Sequence, residues 1–185
     1  KNLSFKINSN EIFGVLGKSG SGKTTLGLIL MGIIKPKKGK VTYVSDTNNF
    51  PPEKLNIFSY IPQDINLMED SIIQNIKFDF KKQYNKTKIF KILKELNLKN
   101  EINYRSSNNI SNKISGGQKQ RILISRAIYN QRKVIILDEP TSNLDKKNID
   151  TLIKQLNKIK KNVFIILISH DKELVKICDN SIKIN

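Results

Sequence analysis

The chain has 185 residues, enough for one domain with a core of its own, and it carries a formal net charge of +17. It has one cysteine, Cys178, and its longest uninterrupted apolar run, residues 163–168, is too short to span a bilayer. These features exclude a disulfide framework and a membrane-spanning helix within the chain. Nearly all of the positive charge comes from lysine, since only four of the 33 basic residues are arginines.

AT-rich codon usage accounts for this lysine excess, and attraction to anionic lipid or nucleic acid is the alternative. The short lysine clusters at residues 35–38 and 158–161 have no interleaved aromatic residues, which a single-strand binding surface requires. We therefore expect no specific nucleic-acid partner.

The first third of the chain has the pattern of several strands around one helix. Alternating apolar residues at Leu3, Phe5 and Ile7 predict a half-buried strand. Apolar segments predict further strands at residues 12–16, 41–44 and 57–61. A glycine-rich loop and an apolar helix over residues 25–31 follow the second strand, and a polar loop with Pro51 and Pro52 precedes the fourth.

From residue 67 to residue 129 the apolar period becomes helical. An amphipathic helix is predicted around residues 89–98, with Asn85 or Thr87 as its N-cap. A polar, irregular stretch follows at residues 97–112, and a second helix is predicted from about residue 117 to residue 130.

Strands return in the last third. Two segments, residues 134–137 and 163–168, are continuous apolar runs, which are typical of central parallel strands covered on both faces. A crossover helix is predicted between them at residues 149–159. Residues 181–184 predict a last strand. We therefore expect a single α/β domain whose core comprises residues 1–62 and 133–185, with a helical subdomain inserted at about residues 64–130.

A phosphate-binding loop is the most specific motif. Residues 17–24 read G-K-S-G-S-G-K-T, the P-loop pattern, between a predicted strand and a predicted helix. The glycines let the backbone curl with its N–H groups inward, and the helix adds its positive N-terminal end. Lys23 reaches the outer phosphates, and the Thr24 hydroxyl suits Mg²⁺. The candidate phosphate-binding residues are Gly17, Lys18, Ser19, Gly20, Ser21, Gly22, Lys23, Thr24 and Thr25.

An acidic pair ends the predicted strand at residues 134–137. Asp138 and Glu139 lie where α/β sheets bind ligands, at the carboxyl end of a strand. Successive strand residues point in opposite directions, so the two carboxylates are expected to have different tasks. Asp138 fits a direct or water-mediated contact with Mg²⁺, and Glu139 can face the attacking water as general base.

Three further features gain meaning only beside the P-loop. Residues 115–118, which read S-G-G-Q, open a helix and form a second anion-binding nest, although such a helix start is also common for capping alone. Gln63 follows a predicted strand, and by itself it would be an ordinary surface residue. His170, the one histidine of the chain, ends the predicted strand at residues 163–168, where a lone histidine is more often structural.

In order and spacing these segments resemble the ATP-binding cassette of ABC transporters, over nearly the whole chain. The matching motifs are Walker A at residues 17–24, the Q-loop glutamine Gln63, the signature motif at residues 115–118, the end of Walker B at residues 137–139, the D-loop at residues 142–145 and the switch histidine His170. The signature motif separates this family from other P-loop ATPases.

The resemblance implies a P-loop NTPase (RecA-like) core with a mainly parallel sheet, an N-terminal antiparallel β part and an inserted helical subdomain. It implies hydrolysis of ATP with Mg²⁺. Two cassettes, in a homodimer or a heterodimer, would pair head to tail, and each ATP would lie between the Walker motifs of one and the signature of the other.

The resemblance also assigns roles to residues. Glu139, His170 and Gln63 would be catalytic, and Thr24, Gln63 and Asp138 would serve the metal. Beyond the P-loop, nucleotide contacts would come from Ser115, Gly116, Gly117, Gln118 and Asp145. A transmembrane domain would dock on the helical subdomain, which places the chain at the cytoplasmic face of a bacterial cell membrane.

Some positions depart from the family pattern. Ile114 stands where the signature usually begins with leucine. The aromatic residue that stacks on adenine in the family would precede Lys1, and family domains usually continue beyond Asn185. We therefore expect the chain to be trimmed at both ends from a longer polypeptide.

The branch of the family is less sharply indicated. Residues 67–76 resemble the segment after the Q-loop in exporters, whereas Pro140 and the pair His170-Asp171 resemble importers. We interpret the chain as part of an exporter of a lipid, saccharide or peptide. The alternatives are an importer-type ATPase, a non-transport ABC protein that acts on the ribosome or DNA, and a binding-only cassette, against which Glu139 and His170 argue.

Overall fold

The computed structural model describes residues 3–44, 49–50, 57–79, 83–99, 114–142 and 144–184. Their elements, in chain order, are β1 (Ile12–Gly17), α1 (Lys23–Leu30), β2 (Tyr43–Val44), β3 (Asn49–Phe50), β4 (Phe58–Ile61), α2 (Ile72–Lys77), α3 (Lys86–Glu95), α4 (Gly116–Tyr129), β5 (Val134–Asp138), α5 (Lys146–Ile159), β6 (Phe164–Ser169), α6 (Lys172–Lys176) and β7 (Asn180–Ile184).

Five strands form one parallel sheet in the order β4-β5-β6-β1-β7, so the first strand lies near the last in the sheet. The short strands β2 and β3 pair antiparallel in a separate two-stranded sheet. The predicted α/β fold, with its mainly parallel sheet and a small antiparallel part early in the chain, is confirmed. Because parallel strands share one direction, β1, β4, β5 and β6 present their carboxyl ends at a common edge.

Each central strand is buried on both faces, as its continuous apolar sequence predicts. Ile135 and Leu137 point to one face, where they pack with residues of α3, α4 and α5. Val134 and Ile136 point to the other face, where they share a cluster with Leu30 of α1. The sheet is therefore the middle layer of three, and its carboxyl edge is held from both sides.

Several helix starts are fixed by side-chain caps. Asn85, one of the two predicted candidates, caps α3 by accepting a hydrogen bond from the Lys88 backbone N–H at 2.9 Å. Two short helices were not separately predicted from the sequence. They are α2, which Ser71 caps, and α6, which Asp171 caps. Helices this short give too few apolar repeats for their period to be recognised.

The prediction of a strand at residues 3–7 is wrong, because the structure has no regular strand there. Leu3 is exposed, but Phe5 and Ile7 are partly buried, and the Phe5 ring stacks on Phe13 of β1 at 5.2 Å between centroids. Partial burial of Phe5 and Ile7 is therefore present without a strand partner for this segment among the described residues. Pro51, Pro52, Asn143 and most of the predicted irregular stretch at 97–112 lie outside the described residues. The division into a core and a helical subdomain stays a prediction.

Candidate nucleotide-binding site

The loop between β1 and α1 has the backbone shape that its glycines predict. Gly20 and Gly22 have φ angles of 76° and 97°, which side chains with a Cβ rarely adopt. A Cβ at Gly17 would collide with the backbone carbonyl of Ile184 and the hydroxyl of Ser21. Because the N-cap of α1 is Gly22, no side chain covers the first N–H groups of the helix. These N–H groups can therefore bind a phosphate.

Lys23 is buried, with 6% of its surface exposed, and its ammonium turns back over the loop. The Nζ atom donates hydrogen bonds of 3.0 Å to the carbonyls of Gly17 and Lys18. It also lies 3.4 Å from Oε1 of Glu139. Three acceptors therefore hold this cation beside the loop, at the place where a phosphate chain would need it. The neighbours Lys18, Ser19 and Gly20 are exposed.

Asp138 and Glu139 have different partners, and because only Asp138 belongs to β5, the turn after the strand and not strand alternation sets the direction of Glu139. Asp138 is 6% exposed, and its Oδ2 accepts hydrogen bonds from the Thr24 hydroxyl at 2.7 Å and from the Tyr60 hydroxyl at 2.6 Å. Glu139 lies just past the strand with a φ of 45°, a left-handed conformation that costs roughly 1–3 kcal/mol in a residue with a Cβ. Its backbone N–H donates to the Ile168 carbonyl at 2.8 Å, which fixes the turn.

The Glu139 carboxylate lies between two nitrogen groups. Oε1 is 3.0 Å from Nδ1 of His170 and faces Lys23, while Oε2 accepts a hydrogen bond of 3.2 Å from the Ser169 hydroxyl. The His170 side chain is 69% exposed, so its ring can meet a ligand from solvent. Three side chains, one from α1 and two from the end of β6, therefore converge on one carboxylate beside the P-loop.

Tyr60, which contacts Asp138, and Ser169, which contacts Glu139, also belong to the site, and sequence reasoning missed both. Burial raises the pKa of the Tyr60 phenol above its ordinary value, and the hydrogen bond to Asp138 raises it further, so the phenol stays a donor. Its one sequence signal was its position in a predicted strand, three residues before Gln63. Ser169 is buried and receives the Asp171 backbone N–H at 3.0 Å.

Thr24 and Asp138 have the chemistry that Mg²⁺ requires. Both supply hard oxygen atoms, and these lie at the mouth of the P-loop. Among the described residues there is no cluster of three or more His, Cys, Asp or Glu side chains that could enclose a metal ion. A magnesium ion usually takes one or two protein oxygens, phosphate oxygens and water instead. The donor set therefore fits Mg²⁺ that arrives with a nucleotide.

Gln63 lies apart from these residues. It lines a cavity of about 250 Å³ together with Gly116 and Lys119 of α4 and Pro140 and Ser142 after β5. Within the described part of the chain, it makes no hydrogen bond with Thr24 or Asp138. The structure therefore places Gln63 beside the start of α4, and its catalytic and metal roles stay predictions.

The segment at residues 115–118 begins α4 as a capping box. The Gln118 backbone N–H donates to the Ser115 hydroxyl at 3.3 Å, and the Gln118 side chain accepts from the Ser115 N–H at 3.0 Å. Ser115 and Gly116 are exposed, whereas Gly117 is buried where a Cβ would meet Asn148 of α5. Asp145 caps α5 by accepting the Asn148 N–H at 2.8 Å. Both predicted segments are thus ordered by local bonds.

None of the described helices is both long enough and apolar enough to cross a membrane.

Comparison with known proteins places these observations in a family. A protein-family model described as ABC transporter matches residues 1–142. The lipoprotein-releasing system ATP-binding protein LolD of Wigglesworthia glossinidia brevipalpis is 33% identical over 99% of this chain and 84% of that protein. The molybdate/tungstate import ATP-binding protein WtpC of Methanocaldococcus jannaschii is 35% identical over 92% of this chain and 57% of that protein.

The fold agrees with this assignment. The solved structure of cbiO1 from Clostridium perfringens, described as part of the ABC transporter complex cbiONQ, superposes with a TM-score of 0.84 at 26% identity. The superposition covers 100% of this chain and 77% of that one. The chain therefore belongs to the ABC transporter family, of which it is an ATP-binding and ATP-hydrolysing component.

Proposed function

We propose that the chain drives transport across a membrane by hydrolysing Mg²⁺-bound ATP between two copies, with Glu139 as general base. The observation that carries this proposal is the position of the Glu139 carboxylate, 3.4 Å from Lys23 and 3.0 Å from His170 at the mouth of the P-loop. A carboxylate so placed can accept a proton from water that attacks the terminal phosphate.

The other residues hold the reacting groups. The P-loop amides and Lys23 bind the phosphates, and Lys23 exchanges its contact with Glu139 for a phosphate oxygen. Thr24 and Asp138 would hold Mg²⁺, which supplies charge neutralisation at the phosphates. Glu139 then takes the proton at a carboxylate oxygen, and His170 contacts the γ-phosphate from its exposed position. Ser169 keeps Glu139 in place by donating to Oε2.

The second copy would complete the site. Ser115 and Gly116 are exposed at the start of α4, so their backbone can meet a nucleotide held by another cassette. Gln118 and Asp145 order the segments that would line this contact. We therefore infer a head-to-tail pair with one ATP at each P-loop and with Gln63 near the joint.

Sedimentation of the chain tests this pairing. The Glu139→Gln chain should sediment as a monomer with ADP and as a dimer with ATP and Mg²⁺, because hydrolysis no longer releases the pair. The Lys23→Ala chain, which is expected to bind nucleotide weakly, should stay monomeric with either nucleotide. A Glu139→Gln chain that stayed monomeric with saturating ATP would contradict the pairing.

A transmembrane partner would dock on the helical side of the chain. A groove of about 650 Å³ lies there between β4 and α4, lined in part by Phe58, Phe78 and Arg126. The Phe78 side chain is 56% exposed, and its ring lies 4.4 Å from the Arg126 guanidinium. An exposed aromatic ring in a groove suits an apolar helix end of a membrane domain.

We propose export as the direction of transport, on the basis of the exporter-like segment at residues 67–76. LolD, named for lipoprotein release, supports export of a lipid or peptide, whereas WtpC, named for import, supports the alternative. Sealed inside-out membrane vesicles separate the two: with ATP outside, an exporter fills the vesicle with its labelled substrate and an importer does not. Filling that requires ATP outside the inside-out vesicle would also place the chain at the cytoplasmic face of the membrane.

A further inference from the structure

The hydroxyl of Tyr60 reaches the predicted metal site from a neighbouring strand. In the sheet, Tyr60 of β4 pairs with Ile136 of β5, and Asp138 lies two residues farther along β5. Residues two apart on a strand share a face, so Tyr60, Ile136 and Asp138 point to the same side of the sheet. The phenol spans one strand spacing and donates to Asp138 Oδ2 at 2.6 Å.

Two donors converge on this one oxygen. Thr24 donates to Oδ2 at 2.7 Å from the start of α1, and Tyr60 donates to the same atom at 2.6 Å from the neighbouring strand β4. A threonine hydroxyl has one hydrogen and two lone pairs. Since its hydrogen is used on Asp138, the Thr24 lone pairs are left for a cation. Oδ1 of Asp138 accepts no hydrogen bond from the residues that the structure describes, and it is available to a metal-bound water.

We propose that Tyr60 is a positioning residue for magnesium, whose hydroxyl fixes the Asp138 carboxylate so that Thr24 presents its lone pairs to the ion. The inference rests on the proposed function, because it assigns the metal to Thr24 and Asp138. Without the phenol, the carboxylate is held by Thr24 alone and can rotate about its Cβ–Cγ bond. Tyr60 itself touches neither metal nor nucleotide.

The bond also connects two parts of the site. Strand β4 ends at Ile61, one residue after Tyr60, and Pro62 then connects it to Gln63, which lines the cavity at the start of α4. A displacement of the Gln63 segment along the strand direction would therefore move the Tyr60 phenol relative to Asp138. The orientation of the Asp138 carboxylate, and with it the binding of the metal, would thereby depend on the position of Gln63.

The test compares Tyr60→Phe with a matched control. Tyr43 is likewise a partly buried tyrosine, and its hydroxyl donates to the Leu30 backbone carbonyl at 3.1 Å, away from Asp138. Tyr43→Phe therefore removes one partly buried hydroxyl hydrogen bond without touching the metal residues. Urea denaturation of both variants measures the structural cost of each deletion.

The readout is the affinity for a fluorescent ADP analogue, measured with Mg²⁺ and with EDTA. In the parent chain Mg²⁺ should tighten binding, and Tyr60→Phe should reduce this tightening about tenfold, the size of one hydrogen bond to a charged group. Affinity in EDTA should not change, and Tyr43→Phe should match the parent in both conditions. Substituting Mn²⁺ gives a second readout, since its electron paramagnetic resonance spectrum reports ligand order at the ion.

Each contrary result has a separate meaning. If Tyr60→Phe kept the full effect of Mg²⁺, or if Tyr43→Phe lost as much, the positioning role would be wrong. If the parent chain bound the nucleotide equally well with and without Mg²⁺, the metal assignment in the proposed function would fail, and the inference with it.

Discussion

The two segments that are expected to hold ATP are built differently. Around the P-loop, side chains from α1, from β4 and from the ends of β5 and β6 bond to one another over distances of 2.6 to 3.4 Å. At the signature segment, the hydrogen bonds of Ser115 run to Gln118, three residues on in the same helix. One half is assembled by the tertiary fold, and the other by a local helix cap.

This difference indicates whether the residues of each half find their contacts within the chain or outside it. Lys23 pairs with Glu139, and Asp138 accepts hydrogen bonds from Thr24 and Tyr60, so the fold itself positions these side chains around the P-loop. Ser115 and Gly116 are exposed on a helix start that is already satisfied locally, so their further contacts can come from outside the chain. A preassembled half and an outward-facing half fit a site that is completed by a second copy.

The largest expected effect comes from the preassembled half. Glu139→Gln keeps the shape of the side chain but removes the base, so we expect ATP turnover to fall by roughly 10²- to 10⁴-fold. Nucleotide affinity should persist, because Lys23 keeps its contacts with Gly17 and Lys18. Phosphate release and equilibrium binding measure the two quantities. Glu173→Gln, at an exposed ion pair with Lys176, is the matched control and should hydrolyse ATP at the parent rate.

A parent-like rate in Glu139→Gln would show that proton transfer does not pass through this carboxylate. The strained φ and the bond to His170 would then need another explanation.

The outward-facing half is tested by a pair of serine caps. Ser115→Ala and Ser71→Ala each remove an N-cap hydroxyl, from α4 and α2, and each should cost about 1 kcal/mol of unfolding free energy. Only Ser115→Ala should weaken the ATP-driven dimer of the Glu139→Gln chain, by about tenfold for the loss of one hydrogen bond to a charged phosphate. Urea denaturation and sedimentation at several protein concentrations give the two numbers.

Equal dimer affinities for the two serine variants would mean that Ser115 is a cap and nothing more. The contrast between the two halves of the site would then lose its functional meaning.

The sequence predicted the elements that a short motif or a long apolar run marks. The P-loop needed only its own eight residues, and β5 and β6 needed only continuous apolar runs, because burial on both faces leaves no other pattern. The strand prediction for residues 3–7 failed because alternating apolar residues do not require a paired strand: Phe5 and Ile7 are partly buried without one, and Leu3 is exposed. Helix α6 was missed because five residues carry too little periodicity.

Within the site, the sequence identified candidate residues but did not show which of them are in contact. Asp138 and Glu139 were identified from a strand end, yet their partners come from β4, α1 and the end of β6, and only the sheet order brings these together. Tyr60 has no motif of its own, and its role depends on the register that sets it opposite Ile136. Such information lies in strand pairing, which a single sequence does not reveal.

The smallest expected effect concerns the strand that carries the P-loop. Asp179 accepts the Ile12 backbone N–H at 2.8 Å at the start of β1 and pairs with Lys160 at 2.9 Å. The hydrogen bond from Ile12 and the pairing with Lys160 lower the pKa of Asp179 below its ordinary value. A lowered carboxyl pKa stabilises the fold at neutral pH, and this stabilisation is lost as the pH falls through the lowered pKa. Asp179→Asn should therefore cost at most about 1 kcal/mol at pH 7, since the pair is partly exposed.

The pH dependence makes this prediction specific. The difference in unfolding free energy between the parent and Asp179→Asn should be full near neutral pH and should shrink as the pH falls below the ordinary range of an aspartate. Nucleotide affinity at pH 7 should stay at the parent value, because Asp179 takes no part in the pairing of Lys23 with Glu139 or of Thr24 with Asp138. A difference that stayed constant down to the acid limit would assign the effect to the shape of the side chain rather than to its charge. A loss of nucleotide affinity would show that the preassembled half depends on how β1 is anchored at its start, and not only on the bonds at its end.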